Sequence, residues 1–301
     1  MRQGRTLSIR GKYIHVLSDD EIIVCYLKNT FRQEKTNQKN SIAIGDLVCF
    51  NEMNQITKIE ERKTILQRMD PLNPRKRHVL GTNIDQVYIT FAIKSPDINI
   101  SMMDRYIMAA QKGGLTPTVI INKIDLLEDK SMIHDLVKIY KNIGIEVLPI
   151  STVTNEGMET LIDSLKGKIS IFSGPSGAGK TSLINIIGKL DLKVGEISEK
   201  IQKGKHTTTY SSLIPLNKET FIIDTPGVAS FALFDVDQAE ILSYFSDLNE
   251  PLGDCKYRGC SHTHEPSCIV KEAEKLHLLS PIRLTSFRSM MENHSAKEIL
   301  Y

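Results

Sequence analysis

The first 64 residues alternate apolar and polar positions in short runs, and no helical period competes with them. Tyr13 to Leu17, Glu21 to Leu27, Ile42 to Phe50 and Gln55 to Glu60 carry the period of a half-buried strand. Polar turns such as Ser18-Asp19-Asp20 and Asn51-Glu52-Met53-Asn54 separate them. Five or so short strands predict a small barrel of the oligonucleotide-binding (OB) type. In Arg62 to His78, Pro71 and Pro74 predict an irregular connector. From Asn83 to Gly227 apolar runs alternate with helical periods. Strands are expected at Val87 to Ile93, Thr118 to Ile121, Glu146 to Ile150, Ile169 to Phe172 and Phe221 to Ile223. Helices are expected at Met102 to Gln111, Met132 to Lys141, Met158 to Leu165 and Thr181 to Ile187. This alternation predicts a doubly wound parallel sheet covered on both faces, with ligand loops at the C-terminal strand ends. Past Asp235, helices at Gln238 to Phe245, Ile269 to Lys275 and Ile282 to Glu292 surround a stretch rich in Cys and His. The expected division is 1–64, 65–234 and 235–301.

One strand-to-helix turn carries chemistry. Gly174-Pro175-Ser176-Gly177-Ala178-Gly179-Lys180-Thr181-Ser182 fills the pattern G-x-x-x-x-G-K-[ST]. Its glycines let the backbone curl so that N–H groups point at phosphate oxygens, and the following helix adds its positive end. Lys180 then reaches the β/γ-phosphates and the Thr181 hydroxyl ligates Mg²⁺. A chance match in a chain of this length is on the order of 1%.

Two further motifs select the nucleotide. Asn122-Lys123-Ile124-Asp125 follows an apolar strand, where the Asp125 carboxylate can accept from guanine N1–H and the 2-amino group. Asn122 would brace neighbouring loops and the Lys123 stem would lie along the base. Asp224-Thr225-Pro226-Gly227 ends another strand, placing Asp224 to hold Mg²⁺ through water and the Gly227 N–H to face the γ-phosphate. Between the phosphate loop and this motif, His206-Thr207-Thr208-Thr209 offers Thr208 to Mg²⁺ and γ-phosphate; the competing reading is a polar loop or strand edge. Ser151-Thr152, after the strand ending at Ile150, is the candidate base loop. In an ordinary GTPase the base motifs follow the phosphate loop, whereas here they precede it, which is a circular permutation. The Asp224 motif leads straight into the C-terminal module, so nucleotide state could move that module.

Cys255, Cys260, His262 and Cys268 offer three thiolates and an imidazole, a set suited to tetrahedral structural Zn²⁺. His264 is the competing imidazole. An odd count of five cysteines beside a nucleotide site points to a reducing, cytoplasmic setting, and Cys25 and Cys49 read as buried small apolar residues.

The net charge of +2 hides local basic stretches. Lys28, Arg32, Lys35 and Lys39 surround Phe31 against the single Glu34, and Arg75, Lys76 and Arg77 are unopposed. Phosphate attraction and stacking make these candidate RNA contacts, with a solvated hairpin loop as the alternative for the first. No run of about 18 apolar residues exists, so no membrane span is expected, and the start MRQGRTLSIRGK lacks the apolar region of a signal peptide.

The chain resembles one family along nearly its whole length, the bacterial circularly permuted, ribosome small-subunit-dependent GTPase A (RsgA/YjeQ) family. The segments that carry it are IAIGDLVCF, TNIDQVYITFA, MMDRYIMAA, NKID, GPSGAGKTS, GKHTTT, DTPG, CKYRGCSHTHEPSC and RLTSFRSMMEN. The resemblance implies a multidomain α/β protein: an RNA-binding OB barrel, a permuted P-loop GTPase and a zinc-binding helical module. It implies GTP hydrolysis in late maturation of the 30S subunit, stimulated by that subunit, with 16S rRNA as partner and a monomer off the ribosome. Guanine then falls to Asn122, Lys123 and Asp125, phosphates to Gly174 through Ser182, and zinc to Cys255, Cys260, His262 and Cys268. The family usually shows Ser-Ala where this chain has Ser151-Thr152. Many GTPases place a water-orienting glutamine where Val228 stands, which leaves His206 as the candidate for that task and a surface histidine as its alternative. A GTP-dependent binding switch with incidental hydrolysis is the second functional reading.

Overall fold

The computed structural model describes residues 1–27, 42–70, 73–191, 212–217, 219–224, 237–248 and 254–298. The N-terminal strands are β1 (Arg2–Arg10), β2 (Tyr13–Ser18), β3 (Glu21–Leu27), β4 (Leu47–Phe50) and β5 (Gln55–Ile59). They run in the order β1-β2-β3-β5-β4, and β4 returns to pair with β1. The pairing of β3 with β5 is parallel and the others are antiparallel. This closed five-stranded barrel is the predicted OB type, and Ile14, Val16, Cys25, Val48, Phe50 and Ile56 fill it. β1 was not among the expected strands, since its sequence RQGRTLSIR alternates weakly. Cys49 corrects another expectation. It lies between the buried Val48 and Phe50, so the strand's period turns it outward, and its thiol donates to Glu60 at 3.3 Å.

The expected strand from Ile42 to Phe50 begins only at Leu47. Residues before it turn, because the buried Asp46 carboxylate accepts from Ala43 N at 2.7 Å. Asp46 also accepts from Arg62 Nε at 2.7 Å and from Thr82 Oγ1 at 2.7 Å. Gly45 has φ +89°, and a Cβ there would stand 2.1 Å from the Thr82 carbonyl oxygen, so only glycine fits this corner.

The connector is not irregular. β6 (Ile65–Asp70) and β7 (Asn73–Thr82) form a separate antiparallel ribbon. Its register jumps between Met69 and Asp70, pairing Met69 with Arg77 and Asp70 with Asn73. Pro74 therefore falls within a bulge, where no ladder hydrogen bond from its nitrogen is needed.

The central sheet contains β8 (Gln86–Ala92), β9 (Thr116–Asn122), β10 (Glu146–Pro149), β11 (Ile169–Ser173), β12 (Ser212–Pro215) and β13 (Phe221–Asp224). Strands β10-β9-β8-β11-β13 are parallel, as apolar runs joined by helices require. Helices α1 (Ile100–Lys112) and α2 (Ser131–Asn142) cover one face, meeting Val87, Ile89 and Phe91 with Met103, Ile107 and Leu136. Helices α3 (Met158–Leu165) and α4 (Lys180–Asp191) cover the other, meeting Tyr88, Ile120 and Phe172 with Leu161 and Leu183. β12, also unforeseen, is antiparallel to β13 and pairs with β1 through Ser8 and Ser212, which joins barrel and central sheet into one eleven-stranded array.

The C-terminal module consists of α5 (Gln238–Tyr244), α6 (Ile269–Lys275) and α7 (Pro281–Glu298). A capping box between Asp237 and Glu240 starts α5. A fully buried ion pair docks the module on α1, with Arg283 Nη1 2.9 Å from Asp104 Oδ1. Asp104 also accepts from Tyr140 at 2.9 Å, from Tyr244 at 2.8 Å, and from Ser286. Arg283 reaches Asp247 at 2.7 Å and lies 4.1 Å from the Phe245 ring centre. Burial pushes the Asp104 carboxyl upward, opposed by Arg283 and the three hydroxyl donors. Burial alone would lower Arg283, but Asp247 and Asp104 hold its guanidinium above the ordinary value.

Arg283→Ala strands a buried carboxylate, which costs about 3–5 kcal/mol. Amide hydrogen exchange should accelerate in α5 and α7 while β8 to β11 stay protected. Unchanged exchange in both helices would show that the ion pair does not dock the module.

Candidate guanine-nucleotide site and metal centre

Parallel strands place their following loops side by side, and here the sheet order brings together segments distant in sequence. The turn after β11 holds Gly174 to Gly179 and opens α4 at Lys180. Gly174 (φ +136°) would put a Cβ 2.0 Å from the Thr90 carbonyl oxygen at the end of β8, and Gly179 (φ +90°) would put one 2.3 Å from the Asn122 amide nitrogen. Both positions demand glycine for space as well as for conformation. Pro175 is half-buried, Ser176 and Gly177 are exposed, and Ala178 is buried beneath the turn. The Lys180 ammonium is held by the carbonyls of Gly174 and Pro175 at 2.7 Å each, and burial lowers its pKa. Thr181 and Ser182 stand exposed in the first turn of α4.

Asn122 ends β9 and is fully buried. Its amide donates to the Ala178 carbonyl at 3.0 Å, while its Oδ1 accepts from Lys123 N at 2.7 Å and Thr152 N at 3.3 Å. One side chain thus ties the phosphate turn, its own strand end and the loop after β10. Asp125 lies in the short turn Ile124–Leu126 and accepts from the Ser151 hydroxyl. Ser151 in turn accepts from Val153 N and Thr154 N, both at 3.1 Å. The expected base-loop residues therefore meet the expected guanine-selective residues. Asp224 ends β13, next to β11. His206, Thr208 and Gly227 lie outside the described residues, as do Lys28 to Lys39 and Val228.

Sequence reasoning missed the loop after β8. Lys123 adopts a left-handed backbone (φ +65°) and its ammonium donates to the Ser95 carbonyl, while Pro96 stands 3.1 Å from where a Gly177 Cβ would be. This loop touches both the base motif and the phosphate turn. The position of β8 between β9 and β11 dictates that contact, and nothing local in Ser95-Pro96 announces it.

In the C-terminal module the donor atoms of Cys255, Cys260, His262 and Cys268 all lie within 4.8 Å of one another. His262 Nδ1 is 3.4 Å from both Cys255 Sγ and Cys268 Sγ. His264 turns away, 84% exposed, so the geometry chooses between the two imidazoles left open by spacing. Burial pushes the Cys260 thiol up to about 12 and lowers His262. Three thiols and a neutral imidazole converging under burial suit a divalent cation, whose charge offsets the cost of ionising the sulfurs.

The RsgA GTPase family model matches residues 59–234. The chain belongs to the RsgA GTPase family. It is 33% identical over 300 residues to the Bacteroides fragilis protein named small ribosomal subunit biogenesis GTPase RsgA, covering 97% of this chain and 96% of the relative. The crystal structure of YjeQ from Thermotoga maritima superposes with a TM-score of 0.74 at 28% identity, over 97% of this chain and 98% of that one. A structure described as YloQ, a circularly permuted GTPase, gives 0.72 at 26% identity over 99% and 96%. Membership makes the chain a GTP-hydrolysing enzyme that uses GTP, GDP and Mg²⁺. The permuted motif order is accordingly a family property, and the strand order β9-β8-β11 is what keeps the site whole despite it.

Asp125→Asn should weaken GTP binding and favour xanthosine triphosphate, because the amide donates where the carboxylate accepts. Competition binding with the two nucleotides checks this, and unchanged GTP preference would remove Asp125 from guanine recognition.

Proposed function

We propose that this RsgA-family GTPase acts in late maturation of the small (30S) ribosomal subunit, binding the subunit and its 16S rRNA in the GTP form and hydrolysing GTP when the subunit stimulates it. The observation that carries the reading is collinear identity across the whole chain with proteins named for small-subunit biogenesis, not across the GTPase segment alone. Such work places the protein in the cytoplasm, as a monomer when off the ribosome. The chain divides functionally into an RNA-binding barrel (1–64), the permuted GTPase (65–234) and the zinc-binding helical module (235–301).

The residue roles follow from chemistry. Asp125 selects guanine, with Asn122 bracing the site and Lys123 along the base. Gly174, Pro175, Ser176, Gly177, Ala178, Gly179, Lys180, Thr181 and Ser182 bind the phosphates, by backbone N–H groups and by the Lys180 charge. Mg²⁺ falls to Thr181 and Thr208, and to Asp224 through water. Gly227 N–H faces the γ-phosphate, and His206 orients the attacking water in place of the glutamine that Val228 replaces. Cys255, Cys260, His262 and Cys268 hold one structural Zn²⁺.

GTP turnover measured with and without purified 30S particles tests the function. A rate that rises steeply with 30S and not with 50S is expected, and a flat rate would leave only a binding switch. Metal analysis tests the zinc assignment. About one zinc per chain is expected, lost in Cys260→Ser together with order in α6, whereas His264→Ala should keep the metal. Metal-free protein purified without chelators would end that assignment.

A further inference from the structure

The base half of the nucleotide site depends on a contact that the motifs do not name. Because β9 lies between β8 and β10, its terminal motif is flanked by one loop on each side. From the β10 side the Ser151 hydroxyl braces Asp125, the residue assigned to the guanine edge. From the β8 side the Ser95 carbonyl accepts from the ammonium of Lys123, whose stem is assigned to the base face. Both residues of this second contact have left-handed backbones, Lys123 with φ +65° and Ser95 with φ +54°. That conformation is unfavourable for a residue with a Cβ and persists only where its neighbours over-determine it. Among the described non-glycine residues that adopt it, Lys123 alone is not Asp, Asn, His or Ser. An exposed ammonium merely resting on the nearest carbonyl would demand no such backbone on either side.

The loop that carries Ser95 is itself held in place. At its start Ile93 N donates to the Asn122 carbonyl at 3.0 Å, and Ile98 N closes the turn by donating to Ile93 O at 3.3 Å. At its end the Asn99 side chain caps α1 by accepting from Met102 N at 2.9 Å. Between these points the Pro96 ring stands 3.1 Å from where a Gly177 Cβ would be, so it rests on the phosphate turn. Ser95 is therefore fixed from several directions while its side chain stays exposed, and Lys123 is the partner that adapts to it. The two lysines of the site are thereby divided. Lys180 lies on the Gly174 and Pro175 carbonyls within the phosphate turn, and Lys123 on the loop beside the base motif.

We propose that Ser95 is a positioning residue for guanine recognition, whose carbonyl fixes the Lys123 ammonium so that the lysine stem stands as a preformed platform for the base. The proposal rests on the assignment of Asn122, Lys123 and Asp125 to guanine and adds the group that sets one of them. A platform set in advance spares the nucleotide the entropy of ordering a long, flexible side chain. It acts on the base, which GTP and GDP share. It therefore strengthens the binding of both equally and adds nothing to the chemical step.

The test uses the full-length chain and measures affinity for GDP and for a non-hydrolysable GTP analogue, together with KM and kcat for GTP. Ser95→Val puts a β-branched residue where φ is +54° and should displace the carbonyl. Its affinity for both nucleotides should fall about tenfold and by one common factor, with KM rising and kcat held within about twofold. Ser95→Gly also lacks the hydroxyl but adopts the same backbone freely, so it should bind within about twofold of the parent. Lys123→Met keeps an apolar stem and loses the ammonium. In that background Ser95→Val should cost less than about twofold more, because its effect runs through the missing group. Parental affinity in Ser95→Val would overturn the proposal and leave the guanine assignment intact. Losses that multiply in the double variant would overturn it too, since the loop would then act by another route or by general loss of fold. An equal loss in Ser95→Gly would give the role to the hydroxyl, and a loss confined to the GTP analogue would place the ammonium at the γ-phosphate; either result overturns it. Parental affinity in Lys123→Met would instead remove Lys123 from the guanine site.

Discussion

The Asp104 carboxylate is the point on which the arrangement of the domains turns. It is fully buried and satisfied by four donors from three elements: Tyr140 on α2, Tyr244 on α5, and Arg283 and Ser286 on α7, while Asp104 itself belongs to α1. A buried charge is costly unless paired and hydrogen-bonded, so all four partners must arrive together. That requirement makes the interface directional. Apolar packing of α7 on α1 would tolerate sliding, whereas displacing α7 by one turn would leave two opposite charges buried apart. The C-terminal module is therefore docked on the GTPase face that carries α1 and α2, away from the α3–α4 face.

The nucleotide site depends on a comparable constraint at smaller scale. Permutation changes which strand comes first and leaves untouched which strands are neighbours. β8 between β9 and β11 brings Asn122 to Ala178 across 56 positions of sequence, and the Asn122 amide closes the contact. The glycine at 179 is fixed by this neighbour as much as by phosphate, because any side chain there would occupy the space of the amide. The expected base loop and the expected phosphate turn are thus mechanically one unit.

Much of this was legible in the sequence, for identifiable reasons. Apolar runs between helical periods gave the parallel sheet, because strands buried on both faces admit little polar sequence. The phosphate and guanine motifs were legible because their chemistry fixes residue type at fixed spacing. β6 and β7 were not, since Pro74 signals irregularity when read locally and the bulge that accommodates it is a property of the pair. β1 was hidden by its polar residues, of which Arg2, Gln3 and Arg10 are exposed while Thr6 is buried opposite Val16 of the barrel core. Spacing left His262 and His264 equivalent, and only the fold turns one inward. Asp104 did leave a trace, a carboxylate within the apolar stripe of Met103, Ile107 and Ala110, but its partner lies 179 positions away.

The two flanking domains attach to the GTPase in different ways, and the difference bears on which can respond to nucleotide. The C-terminal module is held through α1 and α2, elements that follow β8 and β9 and carry no γ-phosphate motif. The barrel is held by Leu7 and Ile44 in the GTPase core, by the buried bonds of Thr82 to Asp46 and Ile44, and by β12, which follows directly on the segment containing Thr208 and pairs along its length with β13, the strand that ends at Asp224. Both proposed γ-phosphate contacts are therefore covalently continuous with the two strands at the barrel junction. Only one strand rung, Ser8 with Ser212, links β12 to β1. The barrel junction is thus continuous in sequence with the proposed switch residues, whereas the C-terminal module rests on helices that carry none of them.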